Sequence, residues 1–257
     1  MNYVTYISKN RIGYITLNRP EKRNALNFAF IAELKEVFLE AEKDDSVKVL
    51  VLKANGETFC AGADLEYMES IQHNSFKENL ADSTHLMELF RQIYLCPKIV
   101  IACVQGHAIA GGCGLATVCD FVFSAPESLF GYTEVKLGFI PALVSVFLLR
   151  KIGEAKSKEL LLTGNLIKAT DAQKIGLINF VVDSNEIEEK VFTFANNLCN
   201  TVSENSLNNT KKLISDIQNL NLKSGLELAA LKNAEVRESD DFKNGMLAFL
   251  KKEKSNW

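Results

Sequence analysis

The hydrophobic pattern of this chain is typical of strands first and of helices later. Apolar and polar residues alternate over residues 4–8 and 11–17, which predicts two strands joined by a tight turn at residues 9–10. Residues 47–52 and 99–104 are continuous apolar runs, the pattern of strands buried on both faces. Further strands are predicted at residues 121–124, 129–131 and 177–182.

Helical patterns lie between these strands and take over the end of the chain. Asn27 is a suitable cap for a helix that runs to about Lys43, and residues 64–94 form a helical but broken stretch. From Ile187 onward the pattern is helical only, so we expect an α/β core with a parallel sheet over residues 1–200 and a helical C-terminal region over residues 201–257. Other helices are predicted at residues 145–151, 155–162 and 169–175.

Composition excludes several classes of protein. A formal net charge of −3 provides no basic field for nucleic acid, and no apolar run has the length of a membrane span. The six cysteines form no C-x-x-C pair and the histidines do not lie at zinc spacing around them, so we expect reduced thiols and no metal. The N-terminus enters a strand pattern at once, without a leader peptide, and we therefore expect a cytoplasmic protein.

Small residues follow two of the buried strands. Residues 54–64 and 105–112 are predicted loops, and they contain Ala61-Gly62-Ala63 and Ala110-Gly111-Gly112 just before helices begin. Ligand clefts of parallel sheets form beyond the C-terminal ends of the strands. The first turn of a helix also leaves N–H groups free. Two such N–H groups on one oxygen form an oxyanion hole, so these loops together predict a site.

The motifs in these segments resemble those of the crotonase family, the enoyl-CoA hydratase/isomerase superfamily, over nearly the whole chain. The resemblance implies a spiral of repeated β-β-α units with a helical C-terminal region, and an acyl-CoA substrate with no separate cofactor. It also implies a homo-oligomer, a trimer or a dimer of trimers. The motifs are residues 17–26 (LNRPEKRNAL), 59–64 (FCAGAD), 106–116 (GHAIAGGCGLA) with Cys119 and Asp120, 130–141 (FGYTEVKLGFIP) and 245–252 (GMLAFLKK).

The same resemblance implies roles for individual residues. The N–H groups of Ala63 and Gly111 correspond to the family's oxyanion hole, and Glu134 corresponds to a catalytic acid–base residue. Lys22 and Arg23 lie where the family binds the CoA nucleotide. The residues expected to contact substrate or CoA are Arg23, Ala25, Ala61, Asp64 and Leu65.

One departure from the family leaves the reaction open. Family hydratases use two glutamates, and the first of them corresponds here to Gly114. The family's glycine-rich sequence after proline is replaced by residues 141–145 (PALVS). The candidates are an enolate-forming hydratase/isomerase, a Δ3,Δ2-enoyl-CoA isomerase that uses Glu134 alone, and a non-catalytic acyl-CoA-binding homologue. Net charge argues against an RNA-binding side activity. A second acid from residues 64–94 has four candidates, Glu66, Glu69, Asp82 and Glu88.

Overall fold

The structure, a computed structural model, describes residues 3–255 and residue 257. Strands and helices alternate first, and helices alone follow. The strands are β1 (Val4–Lys9), β2 (Ile12–Leu17), β3 (Val49–Ala54), β4 (Thr58–Cys60), β5 (Ile99–Val104), β6 (His107–Ile109), β7 (Phe121–Ser124), β8 (Leu129–Gly131), β9 (Ile167–Lys168) and β10 (Phe180–Val181). The helices are α1 (Phe28–Lys43), α2 (Leu65–Ser70), α3 (Phe76–Leu95), α4 (Gly111–Thr117), α5 (Ala142–Thr163), α6 (Ala169–Lys174), α7 (Ile187–Thr201), α8 (Glu204–Ile217), α9 (Leu222–Val236) and α10 (Asp240–Lys251).

Six strands form the larger sheet, in the order β1-β2-β3-β5-β7-β10. β1 is antiparallel to β2, and the other neighbours are parallel, which confirms the predicted parallel sheet. The predicted turn at residues 9–10 was wrong by one residue, because the register continues to the pair Lys9 and Ile12. Asn10 and Arg11 form the turn, with φ of 55° and 62°, as a tight hairpin of right-handed twist requires.

A second sheet contains β4, β6, β8 and β9, and most of it was not predicted. β4 and β6 lie inside the segments predicted as loops, residues 54–64 and 105–112, and they pair in parallel. Each strand has only three residues, too few for a period of two to emerge from the sequence. This small sheet brings the two segments of small residues side by side.

Both faces of the larger sheet are buried, as the continuous apolar runs of β3 and β5 predicted. Alternate residues such as Leu50 and Val100 face a core that includes α1, α3, α4 and α5. Val49 and Ile101 face the other side, where α7 packs on the sheet. The helices predicted at residues 145–151 and 155–162 are two halves of α5, which is interrupted at Gly153 by a φ of 75°.

The C-terminal helices leave much apolar surface exposed. α8, α9 and α10 follow the core as predicted, while the boundary at residue 200, next to the end of α7, stays a prediction. Within residues 3–255 no helix combines the length and apolar character that crossing a bilayer requires. The large exposed apolar side chains of α9 and α10 are Leu222, Leu226, Leu231, Phe242, Met246, Leu247, Phe249 and Leu250.

Candidate active site

The first segment of small residues is held by the main chain of Leu26. Leu26 N donates to Gly62 O at 2.7 Å, and Asp64 N donates to Leu26 O at 2.8 Å. Successive peptide groups of an extended chain point in opposite directions, so the N–H of Ala63 points away from Leu26. Ala63 is exposed, and its N–H has no acceptor among the described residues. This N–H is therefore available to a bound molecule.

The second segment turns sharply into α4. Ala110 has φ of 50° and ψ of −122°, a conformation that a residue with a Cβ rarely adopts. Its N–H donates to Gly131 O at 2.8 Å, and its carbonyl accepts the first helical bond, from Gly114 N at 3.0 Å. Gly111 begins α4, so its N–H has no partner within the helix. Backbone strain of this kind costs about 1–3 kcal/mol and is concentrated at functional sites.

The two segments touch because Gly62 has no side chain. A Cβ at Gly62 would lie 2.9 Å from Ala110 Cβ and 3.5 Å from Gly111 N. The unpaired N–H groups of Ala63 and Gly111 therefore lie on stretches of backbone that are neighbours in space. Such proximity is what two donors to a single oxygen require.

Glu134 has a buried carboxylate oxygen that the described residues leave without a partner. It begins a 3₁₀ turn (Glu134–Leu137) that follows β8, and it is half-buried. Its Oε2 is buried and has no hydrogen-bond partner among the described residues. Burial raises the pKa of the Glu134 carboxyl above its ordinary value. A desolvated carboxylate with a free acceptor is suited to move a proton.

The underside of α4 contains a polar pair near Glu134. The hydroxyls of Tyr132 and Thr117 are hydrogen-bonded at 2.7 Å, and Tyr132 is completely buried. Burial raises the pKa of Cys113 to about 11, and the charge of Glu134 adds to that rise. A buried thiol of this kind stays protonated, so it is no candidate for a nucleophile.

An apolar wall covers Gly114. A Cβ at this position would lie 2.5 Å from Val144 Cγ1 of α5 and 2.9 Å from Phe90 Cζ of α3. Gly114 is the position of the missing acid, and Val144 belongs to the residues that replace the family's glycine-rich sequence. The two departures are therefore one structural feature, since the side chain of Val144 fills the space above Gly114.

None of the four candidates for a second acid between residues 64 and 94 has a buried carboxylate oxygen without a partner, as Glu134 has. Glu66 binds Lys22, and Glu88 lies 2.5 Å from the Nζ of Lys35. Asp82 accepts a hydrogen bond from the hydroxyl of Tyr67, and Glu69 is exposed on α2. Nor do the described residues contain three His, Cys, Asp or Glu side chains arranged to hold a metal ion.

The residues expected to contact CoA form one surface with the first segment. Ala61 N donates to Arg23 O at 3.1 Å, which joins the loop of residues 19–26 to the segment that carries Ala63. Arg23 and Leu65 are exposed, whereas Ala25 and Asp64 are buried. Their contact with CoA stays a prediction. The carboxylate, the N–H and the carbonyl of Asp64 are all hydrogen-bonded within the protein.

Sequence reasoning missed Arg19, which is 9% exposed. Its Nη1 donates to Asp64 Oδ2 at 2.6 Å and to Ala25 O at 3.1 Å. Arg19 lies in a polar loop next to a proline, and nothing in that sequence predicts that its side chain is buried. The burial follows from the ion pair with Asp64, which is distant in the sequence.

We expect activity to depend on the ionised form of Glu134. The carboxyl must lose its proton before it can act as a base, so kcat/KM falls as the pH drops through its pKa. Because burial raises that pKa, the inflection should lie above the ordinary glutamate value of 4.5. A pH profile of kcat/KM tests this, with a buffer series at constant ionic strength. An inflection at or below 4.5 would contradict the assignment.

Comparison with known proteins gives one consistent result. The model of the enoyl-CoA hydratase/isomerase family matches residues 8–257. A putative enoyl-CoA hydratase of Thermus thermophilus is 40% identical over 246 residues, which are 96% of this chain and 97% of that protein. A crotonyl-CoA hydratase of Syntrophomonas wolfei is 31% identical over 251 residues, 97% of this chain and 95% of that protein.

Solved structures agree over the full length. A putative enoyl-CoA hydratase/isomerase (crotonase) from Legionella pneumophila superimposes with a TM-score of 0.92 at 35% identity, covering 100% of this chain and 99% of its own. An enoyl-CoA hydratase from Mycobacterium smegmatis gives a TM-score of 0.93 at 27% identity, with coverage of 100% and 99%. The predicted crotonase-like fold is therefore confirmed.

Proposed function

Because this chain belongs to the enoyl-CoA hydratase/isomerase family, we propose that it shifts the double bond of a β,γ-unsaturated acyl-CoA to the α,β position. The observation that carries this proposal is the buried, unpaired Oε2 of Glu134. Proton transfer within a substrate needs one base, and this base is present without a second acid. The apolar wall over Gly114 favours isomerisation over hydration, which in the family uses two glutamates.

In the proposed mechanism the thioester oxygen accepts hydrogen bonds from the N–H groups of Ala63 and Gly111. Glu134 removes a proton from C2, and the electrons of that C–H bond form a dienolate whose negative charge lies largely on this oxygen. The carboxyl then returns the proton to C4, the C2–C3 double bond forms, and the thioester carbonyl is restored. CoA leaves unchanged as part of the product. Loss of one oxyanion donor typically costs on the order of 10²–10³ in rate.

Hydration is the second candidate, and the names of the relatives support it. In that reaction Glu134 alone would hold the water and deliver its proton. The groups over Gly114, Val144 and Phe90, offer that water no hydrogen bond.

The test is a product analysis on matched substrates. Purified protein receives short 3-enoyl-CoA and 2-enoyl-CoA thioesters, and mass spectrometry with ultraviolet absorbance identifies the products. Isomerisation conserves mass and creates the absorbance of a conjugated thioester, whereas hydration adds the mass of water. We expect the first result, with part of the C2 hydrogen kept at C4 when the solvent is D₂O. Tight binding without turnover on either series would instead support a non-catalytic acyl-CoA-binding protein.

We also propose a homo-oligomer, a trimer or a dimer of trimers. Exposed apolar residues of α9 and α10, such as Leu226, Phe249 and Leu250, support it, since patches of this kind mark interaction sites. Light scattering that gives a monomeric mass at working concentration would contradict it.

A cytoplasmic location is a further proposal. It is supported by the six cysteines, which are all buried as free thiols. Cell fractionation tests the location.

A further inference from the structure

We propose that Arg19 is a positioning residue that fixes the oxyanion donor Ala63 to the loop expected to hold the CoA nucleotide. The inference rests on the proposed function and extends it to substrate recognition. Through this link, the nucleotide end of the substrate would contribute to kcat as well as to binding. The argument starts from how Arg19 is buried between two stretches of backbone.

Arg19 bonds to both stretches at once. Its Nη1 donates to Ala25 O in the loop of residues 19–26, the nucleotide loop, and to Asp64 Oδ2 in the segment of Ala63, at 3.1 and 2.6 Å. The side chains of Arg19 and Asp64 are only 11% and 6% exposed, and the guanidinium lies 5.6 Å from the centre of the Tyr3 ring. A charge pair this well buried has a fixed geometry, because either charge alone in this site would be costly.

Asp64 is the residue next to the donor, and it is fixed on all sides. Its Oδ1 accepts hydrogen bonds from Glu66 N and Tyr67 N, so it caps α2. Burial alone would raise its pKa, but hydrogen bonds from Arg19 and from these amides, with the guanidinium charge, hold the pKa of Asp64 below its usual value. With its N–H on Leu26 O, Asp64 sets the position of the peptide before it, and hence of Ala63.

The nucleotide loop is itself rigid on its far side. Asn24 Nδ2 donates to Asn55 O and Thr58 O at 2.9 and 2.8 Å, and its Oδ1 accepts from Arg19 N at 2.8 Å. Asn24 is completely buried. A ligand bound to this loop therefore contacts backbone whose position is fixed. The hydrogen bonds of the Arg19 guanidinium fix the position of Asp64 relative to that backbone.

The consequence concerns how binding energy is used. Interactions with remote parts of a substrate raise kcat when they hold the reacting centre in place. A misplacement of about 1 Å costs up to about 10² in rate. If Arg19 makes this link, a CoA thioester should turn over faster than the same acyl group on pantetheine, and the difference should depend on Arg19.

The experiment compares Arg19→Met and Arg19→Lys with the unaltered protein on acyl-CoA and acyl-pantetheine thioesters. We expect Arg19→Met to lower kcat on the CoA thioester about ten- to a hundredfold with a smaller change in KM. Its kcat ratio between the two substrates should fall toward one. Arg19→Lys should recover part of the loss. Unchanged kcat and an unchanged ratio in Arg19→Met would overturn the proposal.

A matched control separates positioning from mere loss of stability. Lys48 is 1% exposed and donates to the carbonyls of Cys199 and Val202, on the other side of the sheet. Lys48→Met should lower the melting temperature while leaving kcat and the substrate ratio unchanged. If Lys48→Met changes the substrate ratio as Arg19→Met does, the effect of Arg19 comes from a general loss of stability and the proposal fails.

A second variant serves if Arg19→Met does not fold. The Arg19→Met/Asp64→Asn double variant removes the unpaired charge of Asp64, and we expect the same loss of kcat from it.

A spectroscopic measurement keeps this inference separate from the proposed function. The absorbance of cinnamoyl-CoA shifts to the red when hydrogen bonds polarise its carbonyl, and it needs no turnover. We expect a red shift on binding that Arg19→Met reduces and Lys48→Met does not. An equal shift in Arg19→Met would overturn the role of Arg19. Absence of turnover in the unaltered protein would overturn only the proposed function.

Discussion

Replacement of Glu134 by glutamine should lower kcat by about 10²–10⁴, the usual contribution of general acid–base catalysis. The amide has nearly the same shape, but it neither takes a proton from C2 nor returns one to C4. Because the oxyanion donors are untouched, KM should change little. Steady-state kinetics on a 3-enoyl-CoA measures both parameters, and turnover equal to that of the unaltered protein would remove Glu134 from the mechanism.

The thermal stability of the Glu134→Gln variant should increase or stay the same, in contrast to its kcat. The Oε2 of Glu134 is buried and unpaired, and an amide spares the fold an uncompensated charge there. Glu134→Gln should therefore melt at the same temperature as the unaltered protein or higher. Glu69→Gln on the exposed surface of α2 is the matched control, and its kcat should not change. A loss of activity in that control would show that a second acid comes from residues 64–94 after all.

The larger sheet was predictable from sequence because its central strands are buried on both faces. Continuous apolar runs such as residues 99–104 have few alternatives in a protein of this length. The second sheet was not predictable, since β4 and β6 have three residues each and resemble loops. What fixes them is pairing with each other across nearly fifty residues of chain, such as Thr58 with His107. The pattern of apolar and polar residues within a short segment does not predict such long-range contacts.

The candidate site shows the same limit. The sequence disclosed that Gly114 replaces an acid, but not that Val144 and Phe90 close the space above it. It likewise marked the segment with Ala63 but not the buried arginine that holds it. Each of these facts depends on side chains brought together from distant elements. The missing part of the prediction is therefore tertiary packing rather than local chemistry.

Gly112→Ala should destabilise the protein far more than Gly111→Ala, although the two glycines are adjacent at the start of α4. A Cβ at Gly112 would lie 2.1 Å from Cys60 O and 2.7 Å from Cys60 C, and no side-chain rotation relieves a clash with backbone. β4 and α4 must then separate, with a loss of about 3 kcal/mol, the upper end of the usual cost of overpacking. That loss corresponds to a fall of roughly 6–12 °C in melting temperature.

A Cβ at Gly111 meets a different environment, and this makes it the matched control. Its nearest neighbour would be Leu26 Cδ1 at 3.4 Å, the end of a flexible side chain, followed by Gly62 Cα at 4.0 Å. Gly111→Ala should therefore fold with a melting temperature near that of the unaltered protein. Thermal unfolding followed by circular dichroism compares the two variants directly. Equal melting temperatures would mean that β4 and α4 are not packed backbone to backbone, and the close approach of the two oxyanion segments, which depends on that packing, would have to be abandoned.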